Sequence, residues 1–291
     1  MWDDYIWQLV FALLMSYPTF LPALALGDRY IVQPLNELSD NRADCVVVDT
    51  LDGSTCTVQT ILTASKTQAI VYCQYLRKLM SLSLPQVEQV KDCFTSDRTI
   101  VVVKRQIAGQ FYSDIITEVG RLTEQDAALF LKQVLTILSA LHQNGMRHCN
   151  LSLETICLRA NDNLPVLTQP VFFQGDATNA KLSRSASLQS QAFALTGLAA
   201  PRDDRADLYS VALATLELLT GQPLSVLFNL QTAQWDWNSF CSVSPDLAKL
   251  LNRMLSARVS DWFVSADEFL FALSLVRLEA VGAKMQASLA I

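Results

Sequence analysis

The order in which two apolar periodicities appear constrains this chain most. Between residues 29 and 103, apolar residues fall in short runs rich in Val, Ile and Thr, parted by turn residues. Beyond Thr123 they recur every three or four residues. The first pattern builds strands, and the second builds helices that bury one face. Residues 29–33, 45–49 and 55–59 read as strands, with Asp52-Gly53 as a hairpin turn between the last two. A helix is expected over 66–80, followed by strands over 86–93 and 98–103, parted by Thr95-Ser96-Asp97. The resulting β-β-β-α-β-β unit is too small to bury much core by itself.

The helices that follow carry their own start and stop signals. Thr123 with Asp126 resembles a capping box, and Phe130, Leu131, Val134, Leu135, Leu138 and Leu141 form a stripe that Gly145 closes. A second helix is expected over 206–220, with Leu208, Val211, Ala212, Leu216 and Leu219 on one face and Gly221 at its end. Ser244-Pro245 starts a third, and Ser265 with Glu268 caps a fourth that turns Phe269, Leu270, Leu273 and Val276 inward. Residues 174–197 are polar and aperiodic, which predicts a long loop.

Composition then removes several functional classes. The formal net charge of −6 offers no basic field for a nucleic-acid backbone. With 51% hydrophobic and 17% charged residues, the chain as a whole is not disordered. Only His142 and His148 are present, which disfavours a multi-histidine metal site or a Ser-His-Asp hydrolase. The seven cysteines form no C-x-x-C pair and read as buried small hydrophobes in a reducing cytoplasm. Residues 5–26 are uncharged and apolar but broken by Pro18 and Pro22. They could pack on the protein, touch a membrane, or be cleaved as a leader.

The sum is an α+β chain of two lobes, and its motifs resemble those of bacterial Ser/Thr protein kinases over roughly residues 27–276. His148-Cys149-Asn150-Leu151 resembles the kinase catalytic loop H-R-D-L-x-x-x-N, and Ala200-Pro201-Arg202 resembles A-P-E. The run from Asp207 to Pro223 and the segment from Ser265 to Leu270 are similar to that family's following and last helices. The resemblance implies a bilobal fold: a hydrophobic segment over 1–26, a small antiparallel lobe with one helix over 27–103, a hinge and helical lobe over 104–276, and a tail over 277–291. Asp207 and His148 would be retained structural residues.

Against that pattern the charges that handle phosphate and metal are missing. Residues 35–43, where the family has its glycine-rich loop, contain no glycine and carry Glu37 and Asp40. The lysine that pairs the phosphates falls at Gln59 and its glutamate partner at Tyr72, so the ion pair is expected to be lost at both ends. The proton-accepting aspartate is Asn150, the metal-binding asparagine is Thr155, and the D-F-G aspartate falls at Thr168 or Gln169. Asp176 is a distant surrogate. The glutamate of A-P-E and the arginine it pairs with become Arg202 and Trp262, so neither is left as a lone buried charge.

The resemblance and these losses together predict a catalytically inactive kinase-like module that binds protein partners, holds no catalytic or metal site, and takes neither ATP nor Mg²⁺. The alternative is a nucleotide-binding or weakly active kinase using non-standard residues, with Lys104, Arg105 and Gln106 as the hinge. Ser185 and Ser187, near Lys181 and Arg184, are candidate phosphosites. Trp235, Trp237 and Phe240 form either a docking patch or helix packing. The expected location is cytoplasmic, with membrane contact possible only through residues 5–26.

Overall fold

Strand pairing and helix packing follow the two periodicities closely. The computed structural model describes residues 29–32, 45–169, 192, 196, 201 and 203–276. Two compact units emerge, one running to Ser83 and resuming over Glu88–Ile107, the other comprising Leu84–Val87 and the chain from Ala108 onward.

The first unit is an antiparallel sheet with one helix. Its strands are β1 (Tyr30–Val32), β2 (Cys45–Asp49), β3 (Thr55–Leu62), β4 (Val90–Ser96) and β5 (Thr99–Arg105), in spatial order β1-β2-β3-β5-β4. The hairpin joining β2 to β3 turns at Gly53, whose φ of 69° suits a residue without a Cβ. One face of the sheet buries Tyr30, Val47, Cys56, Val58, Val101 and Val103 together. The other receives α1 (Lys66–Ser81), whose buried Ala69, Cys73, Leu76 and Leu79 keep helical spacing. Ser65 caps α1 by accepting from the Gln68 N–H. Cys73 and Cys93 touch sulfur to sulfur across α1 and β4, and Cys56 and Cys157 are also buried, in keeping with the reading of the thiols as small hydrophobes.

A buried carboxylate pins the open end of this sheet. Asp49 is inaccessible to solvent and accepts two bonds from Arg29, at 3.0 and 2.9 Å, and one from Lys91 at 2.7 Å. Those partners hold its carboxyl far below the usual carboxylate range. One boundary differs from expectation. The strand expected from residue 86 begins at Val90, because Val87 bridges Leu167 and the Gln86 carbonyl accepts the Leu167 N–H at 2.9 Å.

The second unit is helical with a small sheet. Its main helices are α2 (Tyr112–Val119), α3 (Glu124–Gln143), α4 (Arg205–Thr220), α5 (Leu224–Leu227), α6 (Pro245–Met254) and α7 (Ala266–Ser274). The Thr123 hydroxyl accepts from the Asp126 N–H and caps α3, while the Asp126 carboxylate accepts that hydroxyl rather than the Thr123 N–H of a full capping box. Ser244 and Ser265 cap α6 and α7 in the same way. Three short strands, β6 (Gly109–Phe111), β7 (Ile156–Arg159) and β8 (Pro165–Leu167), pair antiparallel in order, and β9 (Phe228–Asn229) pairs with β10 (Gln234–Trp235).

Helix α4 differs from the one-faced stripe expected for it. Nearly every residue from Ala206 to Thr220 is buried, because α3, α5 and α6 all pack on it. A helix apolar all round belongs at the centre of a core. It ends at Gly221, in left-handed conformation with φ 66°, where an added Cβ would lie 2.2 Å from the Gly120 carbonyl oxygen. Replacing Gly221 with alanine combines a left-handed penalty of about 1–2 kcal/mol with that backbone clash. The expected loss of at least ~2 kcal/mol would appear as a lowered urea midpoint with an unchanged m value.

Candidate functional site

The segment after α3 takes its shape from one side chain. Gly145, at φ 64°, turns the chain out of α3 toward His148. Asp207, in the first turn of α4 and 1% exposed, accepts the backbone N–H groups of His148 and Cys149, each at 2.8 Å. Its Oδ2 also lies 3.0 Å from His142 Nε2. Burial pushes the Asp207 carboxyl up, but the bond from the His142 ring and the charges and donors around it outweigh burial, so it stays below the usual range. Cys149 adopts φ 58°, a left-handed conformation that a non-glycine residue holds only under such constraint.

His148 carries the constraint onward. Its Nδ1 takes the Asn150 N–H at 3.3 Å, which leaves the ring proton on Nε2 to donate to the Thr168 carbonyl at 3.0 Å. The loop and the strand end at β8 are thereby tied together. Both positions singled out as retained structural residues, His148 and Asp207, sit at the centre of this network.

The residues at the chemistry-bearing positions are differently engaged. Asn150 is 6% exposed, with its amide nitrogen 3.5 Å from the Gln169 carbonyl. An amide can hydrogen-bond there but cannot accept a proton near neutral pH. The Thr155 hydroxyl accepts from the Ser152 N–H at 2.9 Å and donates to the Asn150 carbonyl at 2.8 Å. That side chain staples the loop and faces no ligand. Thr168 is buried, its hydroxyl donating to the Thr155 carbonyl at 3.1 Å, while Gln169 follows in left-handed conformation at φ 54°. Among the described residues, no cluster of three His, Cys, Asp or Glu side chains could hold a metal ion.

In the first unit, Gln59 and Tyr72 are uncharged, yet a charge pair stands beside the first of them. Gln59 lies opposite Val102 and Thr57 opposite Lys104 in the β3–β5 ladder, so Gln59 and Lys104 are diagonal neighbours on one face. Lys104 Nζ is 3.0 Å from Glu88 Oε1 and 3.1 Å from Gln59 Oε1. The side chains of Lys104 and Glu88 are 7% and 8% exposed. Burial pushes the Tyr72 phenol up, and the Glu88 charge adds to the effect. Neither of the two family positions is charged, and a Lys–Glu pair on other residues stands beside Gln59. The sequence signal was a lysine ending the run Val101-Val102-Val103, two residues from a buried valine on the same face.

The other expected residues divide between described and undescribed parts of the chain. Lys104 and Arg105 belong to β5, with Arg105 exposed, and the Gln106 N–H donates to the Thr55 carbonyl at 3.1 Å. Trp262 is buried, stacks on Tyr209 with ring centroids 4.5 Å apart, and donates to the Ser256 carbonyl at 2.8 Å. Its former partner position, Arg202, lies outside the described residues, as do residues 1–26, 35–43, Asp176, Ser185 and Ser187. Trp237 is fully buried and donates to Asn252 on α6, Trp235 packs edge-on against Phe228, and Phe240 is 38% exposed. Packing is the role of this aromatic group. No described helix is long and apolar enough to cross a membrane.

No protein-family model matches the chain. Among curated proteins it is similar to serine/threonine-protein kinase B of Synechocystis sp., with 27% identity over 205 residues. That match covers 67% of this chain and 36% of the relative. Kinase D of the same organism is 26% identical over 196 residues, covering 65% and 38%. The chain thus matches little more than a third of the length of these relatives. Among solved structures it is similar to the kinase domain of Mycobacterium tuberculosis PknI, with TM-score 0.64, 18% identity, and coverage of 85% of this chain and 96% of that one. Rad53 residues 1–466, solved in complex with AMP-PNP, gives TM-score 0.63 at 17% identity, covering 86% and 66%.

The fold is therefore a protein-kinase-like α+β fold, as its motifs implied. Likeness to kinases, one of them solved with a nucleotide analogue, also corrects the expectation that neither ATP nor Mg²⁺ binds. Among the described residues a buried ammonium, that of Lys104, stands beside Gln59. Asn150 and Gln169 offer neutral oxygens, so a magnesium ion there would draw its anionic partners from phosphate.

The Asp207 network yields a stability test. Replacing Asp207 with asparagine leaves two backbone N–H groups sharing one acceptor and is expected to cost about 3 kcal/mol or more. Because the folded carboxyl lies below its unfolded value of about 3.9, the native protein holds this contribution at neutral pH. It loses the contribution as pH falls through the folded value, whereas the variant lacks it throughout. Urea titrations at pH 7 and below pH 4 compare the two directly.

Proposed function

We propose that this chain is a regulatory kinase-fold module that binds nucleotide and engages a protein partner while transferring phosphate poorly or not at all. The observation that carries the reading is Asn150. The loop around it is held by Asp207 and His148 in a fully bonded arrangement, yet the side chain at the proton-accepting position is an amide. Intact scaffolding with an inert group at the reacting position supports binding over turnover. General-base assistance is worth about 10²–10⁴ in rate, and Asn150 cannot provide it.

The relatives' names support nucleotide as the ligand, since they are Ser/Thr kinases and a structural neighbour holds AMP-PNP. A buried ammonium in the sheet unit, that of Lys104, suits a phosphate-bearing ligand. A protein is the partner on this reading, because a net charge of −6 repels nucleic acid.

Two measurements on the full chain separate the alternatives. ATP with Mg²⁺ should raise the melting temperature, as mass action requires of any ligand that binds the native state. Radiolabelled ATP should transfer phosphate to a generic basic protein at least about a hundredfold below the ~1–100 s⁻¹ of protein kinases, and Asn150→Asp should raise the rate. Transfer by the native chain within the kinase range overturns the inactive reading and makes this a working kinase with displaced residues.

A further inference from the structure

The buried pair in the sheet unit has a role that its position suggests and its energetics alone do not explain. A salt bridge withdrawn from water gives back much of its attraction as lost hydration, so stability is a weak reason to place one there. Lys104 and Glu88 are nonetheless both nearly inaccessible, and the ammonium approaches the position where the kinase pattern would put a lysine. The ammonium lies 3.1 Å from the tip of Gln59, the residue at the lysine position. The ammonium comes from β5, and the carboxylate from Glu88 in the segment just before β4.

The placement is geometrically cheap. Diagonal neighbours in an antiparallel ladder lie roughly 7–8 Å apart, within reach of a long side chain. A lysine on β5 therefore delivers its ammonium to the spot that a lysine on β3 would have filled. Gln59 turns its amide oxygen to accept from that ammonium, which an apolar residue could not do. An ammonium has three N–H donors, and among the described residues Glu88 and Gln59 account for two.

We propose that Lys104 is the phosphate-contacting residue of this chain's nucleotide site, with Glu88 and Gln59 as the positioning residues that hold its ammonium. The assignment rests on the nucleotide-binding reading above and names the residue that would make it work. The ligand class follows from the chemistry: a buried cation with a donor unused among the described residues prefers a nucleoside triphosphate to the bare nucleoside.

Equilibrium binding of ATP with Mg²⁺ and of adenosine to the full chain, followed by calorimetry, tests this. The native chain should bind ATP at least tenfold more tightly than adenosine, a factor suited to one charge-assisted contact. Lys104→Met combined with Glu88→Gln, which avoids a stranded carboxylate, should erase that preference. Lys104→Met combined with Gln59→Lys, which returns the ammonium to β3 beside Glu88, should restore it. Circular dichroism confirms that each variant is folded.

An ATP preference that persists in the folded Lys104→Met/Glu88→Gln variant overturns the assignment and leaves nucleotide binding standing. So does a native chain that binds ATP no tighter than adenosine, a comparison that needs no variant. A native chain that binds neither ligand overturns the nucleotide reading and the assignment with it.

Discussion

The helical unit depends on a single buried carboxylate. Asp207 enters from the first turn of α4 and takes up two backbone N–H groups that would otherwise be stranded in the core. Leaving such donors unpaired costs roughly 1–3 kcal/mol each, so one side chain fixes where the loop runs. The strained backbone at Cys149, the orientation of the His148 ring and the tie to Thr168 all descend from it. The surroundings of α4 complete the arrangement, because a helix buried on every side gives the carboxylate a rigid mount.

Around that fixed frame the chemistry has been redistributed. Thr155 and Thr168 turn their hydroxyls back onto backbone carbonyls and reinforce the loop. Trp262 stacks its ring on Tyr209. In the sheet unit, Lys104 and Glu88 form a buried charge pair. Polar groups inside a protein are constrained by partners in space, and several sequences satisfy the same spatial demand.

The strands and capped helices were readable because their signals are local. Val-rich runs bracketed by Asp-Gly fix the β2–β3 hairpin, and Thr123, Ser244 and Ser265 each announce a helix start within four residues. The strands β6 to β8 escaped notice because runs of three or four residues are too short for alternation to show. Helix α4 was read as one-faced, since a stripe is visible in sequence whereas burial on the remaining sides comes from packing. Asn150 was legible from its motif. The Lys104–Glu88 pair was not, because Glu88 sits in no motif and reaches Lys104 only through the path of the chain leading into β4. The exclusion of ATP fell on likeness to kinases, one of them solved with AMP-PNP, which no single residue of the sequence announces.

The Trp262–Tyr209 stack has a physical corollary. Ion pairs weaken as dissolved salt screens them over a Debye length of about 8–10 Å, whereas ring-on-ring contact in a dry interior is barely affected. With two stacked rings withdrawn from water near the start of α4, the hold between Tyr209 and Trp262 should depend little on ionic strength.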